Sequence, residues 1–239
     1  MPQTYRLVLL LLAGSLLFAT SPARAEPAAD RILKTYVEAV GGSGALARIQ
    51  SRQFKTTLSS GLLRMKVDSR LVRPNLFEEQ STFLGFSSSN GHDGRTGWNR
   101  KRGKTEIVQG VELARMLRGH SLDWDQQLQR WYPTRQRLAD AEVAGVKVQV
   151  VELTAATGEK EIWRFDAATG LLKQIEGFKF EKDKPPVKIV SSLDDYRKVD
   201  GVLLPHRMTA TDGKREFLIV MSDLVHNQVK EPIRLPAGD

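Results

Sequence analysis

Apolar side chains run almost unbroken over residues 7–19, and only after that stretch do they fall into periodic patterns. Arg6 precedes the run and Ala23-Arg24-Ala25 follows it, which is the charged end, apolar stretch and small-residue site of an export signal. Cleavage is expected before Glu26, leaving residues 26–239 as a single soluble domain, because the run falls short of the roughly 20 residues that span a bilayer. Ile32, Leu33, Tyr36, Val37 and Val40 then lie on one stripe at the helical repeat. Gly41-Gly42 stops that helix, and Ser43 is placed to cap a short second one carrying Leu46 and Ile49.

Beyond Arg52 the repeat becomes two. Phe54 and Leu58 share a parity, and Leu63, Met65, Val67 and Leu71 alternate with Arg64, Lys66, Asp68 and Arg70, the pattern of a half-buried strand. Pro74-Asn75 turns the chain into a second strand over 76–86, and the serine- and glycine-rich stretch 87–97 reads as a loop. Residues 111–117 and 122–131 read as helical, with Trp124, Leu128 and Trp131 at i, i+4 and i+7 before Tyr132-Pro133 ends the pattern. From Val146 onward the chain is a meander, with strands expected near 146–154, 159–166, 171–181, 187–197, 202–211 and 214–226. Its punctuation is Thr157-Gly158, Thr169-Gly170, residues 183–186, Asp200-Gly201 and Asp212-Gly213, and such pairs supply the positive φ of tight hairpins. The expected fold is mainly β: one curved antiparallel sheet, with N-terminal and mid-chain helices covering one face.

Composition narrows the chemistry. With Cys 0 there are no disulfides, thiol nucleophiles or cysteine zinc sites, and no cysteine to carry a lipid anchor. The formal charge of +8 loses Arg6 and Arg24 with the leader, and for an exported protein an anionic membrane surface is a better counterpart than nucleic acid. Gly97, Gly103, Lys104 and Thr105 nearly spell a phosphate loop, but the spacing requires glycine where Trp98 stands. Ser87-Ser88-Ser89 with His92-Asp93 contains the residue types of a hydrolytic triad, yet no G-x-S-x-G elbow occurs and adjacent residues cannot aim at one another. His92, His120, His206 and His226 form no two-histidine ligand pair on one helix. Asp123, beside His120 and Asp125, is expected to cap a helix. Glu78-Glu79 and Asp194-Asp195 point to opposite faces on strands, so neither pair can share a substrate. No catalytic residue, metal or cofactor is expected.

What remains is apolar surface. Trp98, Met116, Leu117, Trp124, Trp131, Phe83, Phe86, Trp163, Phe165, Phe178 and Phe180 exceed what turns and hairpins need. Large apolar side chains more often fill a core than line a site. A curved sheet covered by only a few short helices nevertheless leaves room for a cavity, with Trp124, Leu128 and Trp131 on its lid and Met65, Val67, Phe83 and the strand aromatics below.

In order and wording these segments resemble the LolA/LolB-like superfamily of periplasmic lipoprotein-sorting proteins, in its uncharacterised branch. The resemblance rests on VGGSGALARI (40–49), HDGRTGW (92–98), RFDAATGLL (164–172), YRKVDGVLLPHR (196–207) and the N-x-x-x-x-P spacing from Asn227 to Pro232 before Leu235-Pro236. It implies an open, incomplete β-barrel whose mouth is plugged by helices, and an apolar cavity that holds acyl chains of lipoproteins or another lipid. It also implies a non-catalytic, periplasmic, monomeric carrier, or alternatively an envelope lipid sensor contacting a membrane or regulatory protein. The family's sorting members close the cavity with an arginine that contacts the lid; Arg64, Arg70 and Arg73 are the candidates here.

Overall fold

In the computed structural model the described residues are 26–180 and 184–236, so the expected leader over 1–25 and part of the turn expected at 183–186 lie outside them. The chain opens with α1 (Pro27–Ala39), whose proline occupies the first turn, where a missing N–H costs nothing. Ile32, Leu33 and Val37 bury its apolar stripe. Gly41 follows at φ +126, and a Cβ there would come within 2.5 Å of the Gly201 carbonyl oxygen. Only glycine allows that approach, which is fixed by the Leu203 N–H donating to the Val40 carbonyl at 2.9 Å. The second helix, α2 (Gly42–Ala47), starts one residue before the expected cap, with Gly41 and not Ser43 at its N-cap position.

Then follow β1 (Ser51–Ser60), β2 (Leu63–Val72), β3 (Leu76–Phe83), β4 (Phe86–His92), β5 (Gly97–Lys101) and β6 (Lys104–Val108). Next come α3 (Gly110–Gly119) and the single turn α4 (Leu128–Trp131). The second half is all strand: β7 (Thr134–Val143), β8 (Val146–Thr154), β9 (Lys160–Asp166), β10 (Leu172–Lys179), β11 (Val187–Val199), β12 (Val202–Thr211) and β13 (Glu216–His226). All the strands form one antiparallel sheet in the order β6-β5-β4-β3-β2-β1-β13-β12-β11-β10-β9-β8-β7. Each half is a plain meander. The halves join where β1 pairs with β13, Arg52 opposite His226, and the open edges are β6 and β7. This is the expected curved, incomplete barrel. Four of its hairpins turn on Leu84-Gly85, Arg102-Gly103, Ala144-Gly145 and Asp200-Gly201, each with both residues at positive φ, the geometry that matches the twist of the flanking strands.

Three expectations need correction. Residues 87–97 are not a loop but most of β4, a turn and the start of β5. The hairpin is held by the Asp93 carboxylate, which accepts the N–H groups of Arg95 and Thr96. Residues 122–131 are helical only over Leu128–Trp131. Asp123 caps nothing: its carboxylate pairs with Arg73, while its carbonyl accepts the N–H groups of Gln126 and Gln127 at 3.0 and 2.9 Å. An ion pair with a half-buried guanidinium outcompetes a cap, and the chain stays in turns until Gln127.

Three apolar clusters hold the helices to the sheet. α1 packs Ala29, Ile32 and Leu33 against Val151, Leu153, Phe165, Leu172 and Leu193 of β8–β11, with Trp131 and Tyr132. Val37, Val40, Leu46 and Ile49 close on Val202. Leu71 and Phe77 meet Leu122, with Met116 and Leu117 alongside. Asp30 ties α1 to β7 through Arg135, which is 2% exposed and binds it at 2.6 Å.

Candidate functional site

A cavity of about 610 Å³ lies between the concave face of the sheet and the segment 115–132. Its size falls within the usual range for a small-molecule site, roughly 300–1,000 Å³. The floor is built from inward positions on both halves of the sheet: Arg52, Phe54, Leu71 and Glu79 on one side, Trp163, Leu172, Ile175 and Leu193 on the other, with Met221 between and the half-exposed Phe178 at the rim. The roof is Tyr36 from α1, Arg115, Arg118 and His120 from α3 and its end, then Trp124, Leu128, Trp131 and Tyr132. Aromatic contacts join roof to floor. Tyr36 lies 5.2 Å from Trp124 and 5.4 Å from Phe165, and Tyr132 meets Trp163 edge-on at 5.7 Å.

The roof is fastened at three points. Arg73 donates from Nε to the Ile49 carbonyl at 2.6 Å and from Nη2 to the carbonyls of Leu46 and Leu122 at 2.9 and 3.3 Å, besides its pairing with Asp123. At the other rim Arg115 pairs with Glu159 at 2.5 Å, and Arg118 reaches Glu159 at 3.6 Å and Glu161 at 3.4 Å. Glu161 also accepts the Tyr132 hydroxyl at 2.8 Å and the Trp163 indole N–H at 2.9 Å. Burial, reinforced by the Glu161 charge, pushes the Tyr132 phenol well above its ordinary range, so it stays a donor. The third point is His120, stacked on Phe77 with centroids 3.9 Å apart and 3.3 Å from the Glu79 carboxylate. Burial alone would lower the imidazole, but the Glu79 hydrogen bond and charge outweigh it and hold His120 above its ordinary value.

Arg52 is different. Its Nε donates to His226 Nε2 at 3.2 Å, and His226 Nδ1 donates in turn to Asp200 at 3.0 Å. Among the described residues no carboxylate pairs with its guanidinium. Burial lowers Arg52 to about 10, with Arg73 adding repulsion and Tyr36 opposing it. Burial likewise lifts the Tyr36 phenol to about 12, against the influence of Tyr196 and Arg52.

Of the apolar candidates, Trp124, Leu128, Trp131, Trp163, Phe178 and Phe180 are brought together around the cavity. Phe165 is fully buried behind it, and Met116 and Leu117 pack against the adjoining clusters. Met65, Val67 and Phe83 share the inner parity with Leu71 but lie toward the far end of β2 and β3, outside the cavity lining. Trp98 stands on the opposite face, where its register puts it beside Gly91 and hence Glu78. A Cβ on Gly91 would sit 2.4 Å from its indole, so glycine makes the slot in which Trp98 is wholly buried. Arg52, Tyr36, Tyr132, Glu161, Ile175, Leu193 and Met221 line the cavity without having been expected to. For Arg52 a signal existed: it shares the parity of Phe54, so the strand carries a charge on its inward side.

Among the described residues no helix is long and apolar enough to cross a membrane, and no group of histidine and carboxylate side chains could hold a metal ion. No family profile and no curated protein sequence matches the chain. Solved structures do. A LolA superfamily protein from Nitrosomonas europaea superposes with a TM-score of 0.58 at 12% identity, covering 84% of this chain and 94% of that one. A DUF1329 family protein from Desulfovibrio piger gives 0.54 at 11% identity, over 85% and 95% of the two chains. A domain described as an outer membrane lipoprotein-sorting protein, from Vibrio parahaemolyticus, gives 0.51 at 16% identity, again over 85% and 95%. At such identities the likeness speaks for architecture alone, and together with the open antiparallel sheet and its inserted lid it establishes that this chain has a LolA-like fold.

Proposed function

We propose that the protein is a non-catalytic carrier of the cell envelope that shelters acyl chains, of lipoproteins or of another lipid, in the cavity beneath residues 115–132. One observation carries this reading: the cavity is walled by Trp124, Leu128, Trp163, Ile175, Phe178 and Phe180, and its polar groups sit mainly at the rim, in pairs. Burying an acyl chain there contributes about 0.8 kcal/mol per CH₂, which is enough for a carrier to compete with a bilayer for part of a chain. The leader expected over 1–25 accords with a periplasmic workplace.

A membrane surface fits one end of the sheet. The hairpin tips β1–β2, β3–β4 and β5–β6 lie side by side there, and Leu62, Leu63, Leu84 and Phe86 are exposed on them at 102%, 55%, 72% and 67%. Arg64, Lys66, Lys101, Arg102 and Lys104 surround them, the mixture that attracts an anionic leaflet and then inserts into it. Binding of a fluorescent fatty acid to the protein beginning at Glu26 tests the carrier reading. Saturable binding that unlabelled palmitate displaces is expected, and fluorescence no greater than with denatured protein would end it.

A further inference from the structure

Every charged side chain that lines the cavity has an opposite charge beside it, with one exception. Glu79 has His120, Glu161 has Arg118, and Arg115 has Glu159. Arg52 has only His226, whose Nδ1–H is committed to Asp200, so that the ring nitrogen facing Arg52 is the acceptor of a neutral imidazole. That contact uses Nε alone. Among the described residues neither Nη group of Arg52 makes a hydrogen bond or an ion pair, although the other charged side chains of the cavity are all matched.

A half-buried guanidinium with its donor edge uncommitted is costly to keep unless something binds it. His226 makes the cost useful, because it fixes the orientation of the fork through Nε and leaves the outer pair of N–H groups for a planar or tetrahedral oxyanion. The apolar surface begins next to it. Phe54 and Leu71 flank Arg52, and the lining continues by Met221 on β13 and Leu193 on β11 to Ile175 on β10, with Phe178 at the rim.

We infer that the cavity takes single-chain amphiphiles with an anionic oxygen headgroup, a carboxylate or a phosphate monoester, bound by the uncommitted edge of Arg52 while the chain lies across the floor toward Phe178. The inference rests on the carrier reading and narrows it, since a neutral lipid or an amide-linked chain offers Arg52 an acceptor oxygen but no compensating charge.

The test uses three ligands of one chain length, hexadecanoate, hexadecyl phosphate and hexadecanol, titrated calorimetrically into the protein beginning at Glu26 and into its R52Q and R52K variants. The wild type is expected to bind at least one of the anions about tenfold or more tightly than the alcohol, the scale of one charge-assisted hydrogen-bonded contact. R52Q is expected to lose that preference while binding the alcohol as before, and R52K to keep part of it. Which anion is preferred separates a free fatty acid from a lipid phosphate. Equal affinity of all three ligands for the wild type overturns the headgroup assignment and leaves the acyl cavity standing, whereas binding of none of them removes both. The wild-type comparison decides the matter even if R52Q fails to fold.

Discussion

At the scale of single residues, two histidines are set against each other. His120 is held above its ordinary value by Glu79, so the folded state binds its proton more tightly than the unfolded chain does. Its contribution is fully present below the unfolded value of about 6.5 and is lost as pH rises through the higher folded value. His226 is pushed the other way by burial and by Arg52, despite Asp200, so its contribution is present above about 6.5 and is lost as pH falls through the lower folded value. Denaturant melts of H120Q and H226Q should therefore diverge. H120Q should lose more stability at about pH 5.5 than at pH 8, by on the order of 1 kcal/mol, and H226Q should show the reverse order. Arg73 makes a sharper case. Replacing it with leucine strands the Asp123 carboxylate and three carbonyl oxygens, at an expected cost of about 3–5 kcal/mol. Amide hydrogen exchange over 121–127 should accelerate more than elsewhere. Equal acceleration across the sheet would show that Arg73 supports the whole fold and not the roof in particular.

At the scale of elements, α3 buries no residue fully and is held by Arg115 and Arg118 on Glu159 and Glu161 together with the half-buried Met116 and Leu117. These pairs are largely withdrawn from water, with Glu159 at 7% and Arg118 at 12% side-chain exposure, so removing the arginines leaves carboxylates uncompensated at a cost of about 3–5 kcal/mol. The double variant R115Q/R118Q should consequently exchange α3 amides faster and also lower the unfolding midpoint, and a midpoint that stays in place while α3 exchange accelerates would show that the pairs hold only the helix. On the opposite end of the sheet, replacing Leu62, Leu84 and Phe86 with serine should weaken sedimentation with phosphatidylglycerol vesicles several-fold and leave acyl binding intact. How much of this was legible beforehand follows from the pattern each element had to carry. The strands after Val146 announce themselves, because alternation on a half-buried sheet is bracketed by Asp-Gly and Thr-Gly turns. The strand β4 does not. Its Ser87-Ser88-Ser89-Asn90-Gly91 is polar on both faces, since Glu79 and Asn90 form part of a polar network on one side and the Trp98 slot occupies the other. β7 hides for a related reason: it is an edge strand whose most buried side chain is Arg135. Reading β4 as a loop concealed the register that turns Trp98 outward. The heptad-like spacing of Trp124, Leu128 and Trp131 does bring all of them to the cavity, but through turns as much as helix.

At the scale of the molecule, the cavity and the core share walls, which decides where it can be probed cleanly. Trp131 belongs to the main cluster at 7% exposure, so a charge there would cost several kcal/mol of stability and report on folding as well as on binding. Phe178 lines the cavity at 48% exposure. F178S should change stability by no more than about 0.5 kcal/mol yet reduce fatty-acid affinity several-fold, and unchanged affinity would move the ligand away from β10. The open seam between β6 and β7 bears on what such a ligand experiences. In a closed barrel the girth is dictated by an unbroken ring of backbone hydrogen bonds, so accommodating a bulkier guest means breaking some of them. Here the ring is interrupted, and side chains of residues 115–132 span the gap. Widening the interior then means that the sheet uncoils slightly, as a spring washer does, each strand keeping its neighbours while the side-chain ties of residues 115–132 give way instead of the ladder. A guest in the cavity would itself set the bore.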